Sequence, residues 1–119
     1  MTLSPAEALE FARAWVDAWG SHDLERILAH YADPLDFTSP LILQRLPHLD
    51  GTIRDLATLR GYFQLGLQRA PELRFELIEV LMGVRGFCMY YVNARGGRTA
   101  EYVELDEHHK IKKAIVCYS

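Results

Sequence analysis

The sequence predicts an α+β domain in which a curved antiparallel sheet carries its helices on one face. Three observations point there. A capped amphipathic helix opens the chain, the hydrophobic period switches from helical to alternating after Pro71, and four strand-like runs then follow at hairpin spacing. The 119 residues are read as one domain over 1–119, since chains of roughly 100 to 150 residues bury about two thirds of their unfolded surface without a staple.

The first helix starts at a capping box: Ser4 as N-cap, Pro5 in the first turn and Glu7 as the third-position acid. Leu9, Ala12, Trp15, Val16 and Trp19 recur on one face, Glu10, Arg13 and Asp17 on the other, and Gly20 ends it. A second helix is predicted from Asp23 to Ala32, with Leu24, Ile27, Leu28 and Tyr31 as its stripe and Pro34 as its stop. A short strand ending at Ser39 follows. "LILQRLPHLDG" shows no clean period and reads as an irregular flap. The third helix covers 54–70, with Leu56, Leu59, Phe63 and Leu67 inward. Its Gly61 and Gly66 each weaken it by about 1 kcal/mol relative to Ala unless close packing compensates. Strands are predicted over 73–82, 87–94, 98–106 and 111–118, joined by "GVRG", "RGG" and "EHHK".

Composition narrows the function. Half the residues are apolar, 24% are charged, and the formal charge is −3. That leaves no basic surface for nucleic acid or anionic lipid. No run of about 18 apolar residues occurs, and the start lacks the regions of a signal peptide, so a soluble cytoplasmic protein is expected. Cys88 and Cys117 sit in strand-like runs without metal spacing, and read as buried reduced thiols or as a disulfide between neighbouring strands. His108 and His109 belong to a turn, and His30 to the polar side of the second helix. His48 lies in the irregular segment, either solvated or near a cavity mouth. Asp33 and Asp36 are read as helix-terminating, solvated acids. No histidine combines with Asp or Glu at ligand spacing, so no metal is expected. "RGGR" precedes no helix and is a hairpin turn, not a phosphate loop, and no cofactor is expected.

Alternation then assigns faces. If Phe37 points into the core, Ser39 follows it inward, a small hydroxyl held by Pro40. In "RTAEYVELDE", Glu101 shares parity with Thr99, Val103 and Leu105, the more apolar set. Glu79 shares parity with Phe75, Leu77 and Leu81, and is a second inward candidate. The opposite face of that strand, with Ile78, Val80 and Met82, suits another subunit. A carboxylate in an apolar cavity raises its pKa or finds a donor, and such groups serve as general acids and bases.

At "HYADPLDFTSP" the chain resembles the nuclear transport factor two-like superfamily, in its SnoaL-like and ketosteroid isomerase-like branch. Tyr31, Ala32, Asp33 and Pro40 carry the likeness, with "AWGSHDLERIL", "DGTIRDLATLRGYF" and "LDEHHKI" in the same order. The resemblance implies a cone-shaped sheet with three N-terminal helices on its concave face, a hydrophobic pocket inside, and often a homodimer through the outer face. In the isomerases the residue before that proline is the aspartate base, where this chain has Ser39. Their oxyanion-donating tyrosine of helix one corresponds to Trp15, their protonated acid to Glu101, and a pocket-lining position of the last strand to Tyr118. One of three catalytic positions keeps its chemical type, so a true ketosteroid isomerase is not expected.

The resulting expectation is a protein binding a mostly apolar small molecule, with acid–base isomerase, cyclase or dehydratase chemistry through Glu101. Trp15, Ser39 and Tyr118 would orient the ligand, and Phe37, Phe63, Met89 and Tyr91 would be walls. The alternative is a non-catalytic module that dimerises or binds a partner through the outer sheet face.

Overall fold

Helix α1 (Pro5–Ser21) begins at the capping box. In the computed structural model, which describes residues 3–119, Ser4 Oγ accepts from the Glu7 amide at 3.1 Å and Glu7 Oε1 from the Ser4 amide at 2.9 Å. Met1 and Thr2, part of the start read for a signal segment, lie outside the described residues. The helix runs one residue beyond Gly20 and turns off at His22, whose φ of 59° is left-handed. Its buried stripe is Ala8, Ala12, Trp15, Ala18 and Trp19. Leu9 and Val16, expected on that stripe, are only half-buried. The alanines take their place because small side chains let the helix approach the sheet closely.

Helix α2 (Leu24–Leu28) is shorter than predicted. Tyr31, expected on its stripe, instead opens strand β1 (Tyr31–Thr38), and Pro34 lies within that strand. The sheet takes the chain early: the Ile111 amide donates to the His30 carbonyl at 2.7 Å. Pro34 is tolerated where the β1 register shifts between Tyr31 and Asp36, since a bulge needs no donor there. The segment predicted to be irregular contains helix α3 (Pro40–Arg45), capped by Ser39, and the two-residue strand β2 (Thr52–Ile53). Helix α4 (Leu56–Arg69) follows, with Asp55 as N-cap and Asp33 Oδ1 accepting from the Leu56 amide at 3.2 Å. Leu59, Tyr62 and Phe63 are its buried residues, whereas Leu56 and Leu67 are half-buried.

Strands β3 (Glu76–Met82), β4 (Phe87–Val92), β5 (Arg98–Leu105) and β6 (Ile111–Tyr118) form the predicted antiparallel meander. The sheet order is β2-β1-β6-β5-β4-β3. Because β1 pairs parallel with β6, the six-stranded sheet is mixed, not wholly antiparallel. Parallel neighbours need a long crossover, and here it comprises everything from α3 through β5. The α+β cone architecture therefore stands, with four helices in place of three.

The register sets the inner face. Val80, Met89, Glu101 and Val116 form one cross-strand row, and Leu77, Tyr91, Thr99 and Tyr118 the next. A bulge at Ile78 lets Leu77 pair with Tyr91 while Glu79 pairs with Tyr90. That extra residue reverses every later side chain, so Glu79 is exposed on the outer face and not inward as parity predicted. Cys88 is half-buried and Cys117 exposed, both free thiols, and β5 separates their strands, which excludes the pairing of neighbours considered above. No helix among the described residues is long and apolar enough to cross a membrane.

Candidate functional site

Glu101 lies on the buried side of β5 with Thr99, Val103 and Leu105, and is 3% exposed. Its strand neighbours are Met89 and Val116. Tyr91, diagonal to it across β4, donates its hydroxyl to Glu101 Oε1 at 2.9 Å. Oε2 has no partner. Burial penalises the charged form and pushes the carboxyl up to about 7, a rise that the Tyr91 hydrogen bond partly opposes. Tyr91 itself is pushed well above the ordinary phenol value, first by burial and then by the Glu101 charge, and so stays a neutral donor.

A second pair lies deeper. Trp15 Nε1 donates to the Tyr31 hydroxyl at 3.0 Å, which spends the indole on a neighbouring side chain. Burial pushes Tyr31 well above its usual range too, with the Glu101 charge adding to it. The Trp19 indole lies near enough to the Tyr31 oxygen to favour its ionised form, yet Trp19 Nε1 forms no hydrogen bond. Buried polar atoms are nearly always partnered, and Trp19 Nε1 and Glu101 Oε2 are the two exceptions among the described side chains.

Aromatic rings make the walls. Trp15 stacks on Phe75 at 5.4 Å, Phe75 lies 4.7 Å from Tyr91, Trp19 meets Phe63 edge-on at 4.8 Å, and Phe63 meets Phe37 at 5.5 Å. These rings form one contiguous cluster that reaches the acid through Tyr91. The hollows lie at one end of the cone, on either side of the connection from α4 to β3. One of about 400 Å³ is lined by Val16, Asp17, Gly20, Ser21, Arg74 and Phe75. Another of about 220 Å³ is lined by Ala70 to Leu73 and Ala94. Phe75 belongs both to the first hollow and to the ring stack that covers Tyr91.

At the same end sits a group of hydroxyls. Ser39, 2% exposed, receives the Leu41 amide at 3.4 Å as the cap of α3 and lies 3.5 Å from the Tyr118 hydroxyl. Tyr118 is 39% exposed and forms a rim. Tyr62 is buried beside Ser39, and burial raises its hydroxyl to about 12. The Arg45 guanidinium lies 5.7 Å over the Tyr62 ring.

The structure packs Trp15, Phe37, Phe63, Met89 and Tyr91 in one core with the buried Glu101, and sets Ser39 3.5 Å from the partly exposed Tyr118; none of these side chains lines either hollow. His48, considered for a cavity mouth, is exposed. His30 is half-buried with its ring against Phe11 at 5.4 Å, not on a polar face. Sequence reasoning missed Tyr31 and Tyr62, whose hydroxyls feel the charge of the acid, and Phe75, whose ring packs on Tyr91. Tyr62 was legible, three residues after Leu59 on the same helical face, whereas Tyr31 was hidden by its assignment to α2. No cluster of metal-ligating side chains occurs among the described residues.

The profile of the SnoaL-like domain matches residues 12–112. A SnoaL-like protein of unknown function from Burkholderia thailandensis superposes with a TM-score of 0.94 at 34% identity, covering 100% of this chain and 99% of that one. The chain belongs to the SnoaL-like family. Other solved structures show the fold at lower identity. A proposed isomerase of the family from Agrobacterium tumefaciens aligns at TM-score 0.74 and 15% identity over 96% of this chain and 98% of its own. An NTF2-like protein of unknown function from Cytophaga hutchinsonii aligns at 0.71 and 8% over 94% and 89%. The SnoaL-like cone is therefore the architecture, as the "YAD...P" segment suggested. No curated protein matches the chain significantly.

Proposed function

We propose that this SnoaL-like protein binds a mostly apolar small molecule in its cone and uses Glu101 as a proton donor and acceptor. One observation carries the reading: a carboxyl buried on the inner sheet face, pushed up to about 7 by that burial, with one oxygen held by Tyr91 and the other unpartnered. A group with that acidity is poised to give or take a proton at neutral pH. Tyr31 and Tyr91 stay neutral and supply hydroxyls beside it. Isomerase, cyclase and dehydratase steps all need such a proton shuttle. Ser39 leaves no second carboxylate for the ketosteroid isomerase pathway, because an unactivated hydroxyl does not remove a proton from carbon near pH 7. Phe75, standing between the 400 Å³ hollow and the acid's neighbours, is the ring whose displacement admits the ligand.

Both tryptophans, Trp15 and Trp19, are buried in the ring cluster, so intrinsic fluorescence reads its occupancy. Titration with a panel of cyclic ketones should give saturable changes and raised melting temperatures. A bound ketone should exchange its α-protons for deuterium, and Glu101→Gln should abolish that exchange. A flat response across the panel overturns the pocket reading.

A second reading rests on the outer sheet face, where Leu81, Cys88, Tyr102 and Ile115 align in one cross-strand row. Leu81 and Ile115 are exposed there, together with Ile78. This face suits a second copy of the chain, as a homodimer with or without chemistry inside the cone. The two unpaired cysteines suit a reducing, cytoplasmic setting.

A further inference from the structure

The structure assigns to Arg45, with the hydroxyls of Ser39, Tyr62 and Tyr118, the role of holding a carboxylate at the end of the cone. The ligand is then a small amphipathic acid whose apolar body points toward Glu101. This inference rests on the pocket reading above and names the chemical class of its ligand.

Four observations support it. Arg45 is half-buried and forms no ion pair among the described residues. A guanidinium without a counter-charge is free to take an anion. The guanidinium is held in place: it lies over the Tyr62 ring and against α4, where a methyl added at Gly66 would sit 3.6 Å from Arg45 Nη1. Its charge reaches both phenols of the rim, favouring the ionised form of Tyr62 and of Tyr118. Burial dominates in each, so both remain hydroxyl donors at neutral pH. Three hydroxyls and a planar, forked cation are a donor set that suits the two oxygens of a carboxylate.

The register gives the reach. Tyr118 pairs with Thr99, and Glu101 pairs with Val116, so the rim hydroxyl and the buried acid are diagonal neighbours on adjacent strands. Such neighbours stand roughly 7 to 8 Å apart at the backbone, so one small ligand can reach from the rim to the acid. The charge of Glu101 bears on the tyrosines at positions 31, 62, 91 and 118, and the cations that bear on the rim are Arg45 and Arg95. The end of the cone is therefore positive while its depth holds a single acid, the polarity expected for a ligand with one charged end.

The probes are 1-naphthoate and its neutral isostere 1-naphthamide, read by tryptophan fluorescence, with acetate alone read by amide shifts at Ser39 and Tyr118. Naphthoate should bind on the order of tenfold tighter than naphthamide. Arg45→Gln should bring naphthoate down to the naphthamide level and leave naphthamide unchanged, while Arg45→Lys restores only part of the preference. Equal binding of the two probes, or a preference that survives Arg45→Gln, overturns the carboxylate site and keeps the pocket. Acetate shifts that vanish in Arg45→Gln, without binding of either aromatic probe, keep the anion site and overturn the pocket. Silence from all three overturns both.

Discussion

Tyr91 and Glu101 are diagonal neighbours on adjacent strands, and the phenol donates to the carboxyl at 2.9 Å within an interior sealed from water. The bond favours the ionised acid while burial disfavours it, and burial wins. Removing the donor makes the balance more one-sided. Tyr91→Phe should raise the Glu101 midpoint further above 7, read from its side-chain carboxyl carbon by NMR, and cost about 1 kcal/mol of stability. A midpoint that falls would mean that the phenol is not the group supporting the charge.

The same carboxyl makes stability depend on pH. Its folded value of about 7 lies above the ordinary 4.5. Below pH 4.5 the acid is neutral in both states and costs nothing. Between 4.5 and 7 the unfolded chain ionises first, so stability falls as pH rises, by on the order of 3 kcal/mol in total above 7. Glu101→Gln should remove this loss, so that its urea midpoint no longer drops from pH 5 to 8 as that of the parent does; what remains there is a small rise from His30, whose imidazole burial holds below its ordinary value. Glu7, Glu25 and Asp55, whose carboxyls are held below their ordinary values, act in the opposite direction and below that window.

Two glycines should respond in opposite ways. At Gly61, on the exposed side of α4, a methyl meets nothing within 4 Å. Gly61→Ala should therefore stabilise by roughly 0.5 to 1 kcal/mol in chemical unfolding, the helix preference of Ala. At Gly86 the added carbon would stand 2.0 Å from the Val103 carbonyl oxygen of the neighbouring strand. Gly86→Ala must part β4 from β5 and should cost about 3 kcal/mol or more in the same assay.

The outer-face reading makes its own commitment. Sedimentation should show a dimer at micromolar concentration, and Leu81→Lys with Ile115→Lys should leave a folded monomer, because both side chains are exposed and carry no core packing. A monomeric parent protein would remove the second copy from the account.

Much of the fold was legible where one physical signal ruled a segment. The Ser4 box fixed the start of α1, and the alternating runs fixed β4 to β6 within about two residues. What failed was decided by tertiary contact. Tyr31 has helical spacing from Leu28 and Ile27, yet β6 draws the chain into the sheet at His30. Glu79 followed parity until one extra residue at Ile78 turned it outward, while β5 kept its alternation through Glu101. Ser39 was visible as an inward hydroxyl, but its capping of α3 was not, because that helix has no periodic apolar stripe and buries only Ile42. The proposed carboxylate site could not be read from Arg45 alone. That needed Arg45 placed beside Tyr62, which only the folded chain does.

The acid at the centre of the cone is tested most directly by following the Glu101 side-chain carboxyl carbon by NMR from pH 3 to 9, assigned by its loss in Glu101→Gln. A single transition near 7 is the expected result. A transition at the ordinary value of 4.5 would contradict the account, because it would describe a solvated surface carboxylate.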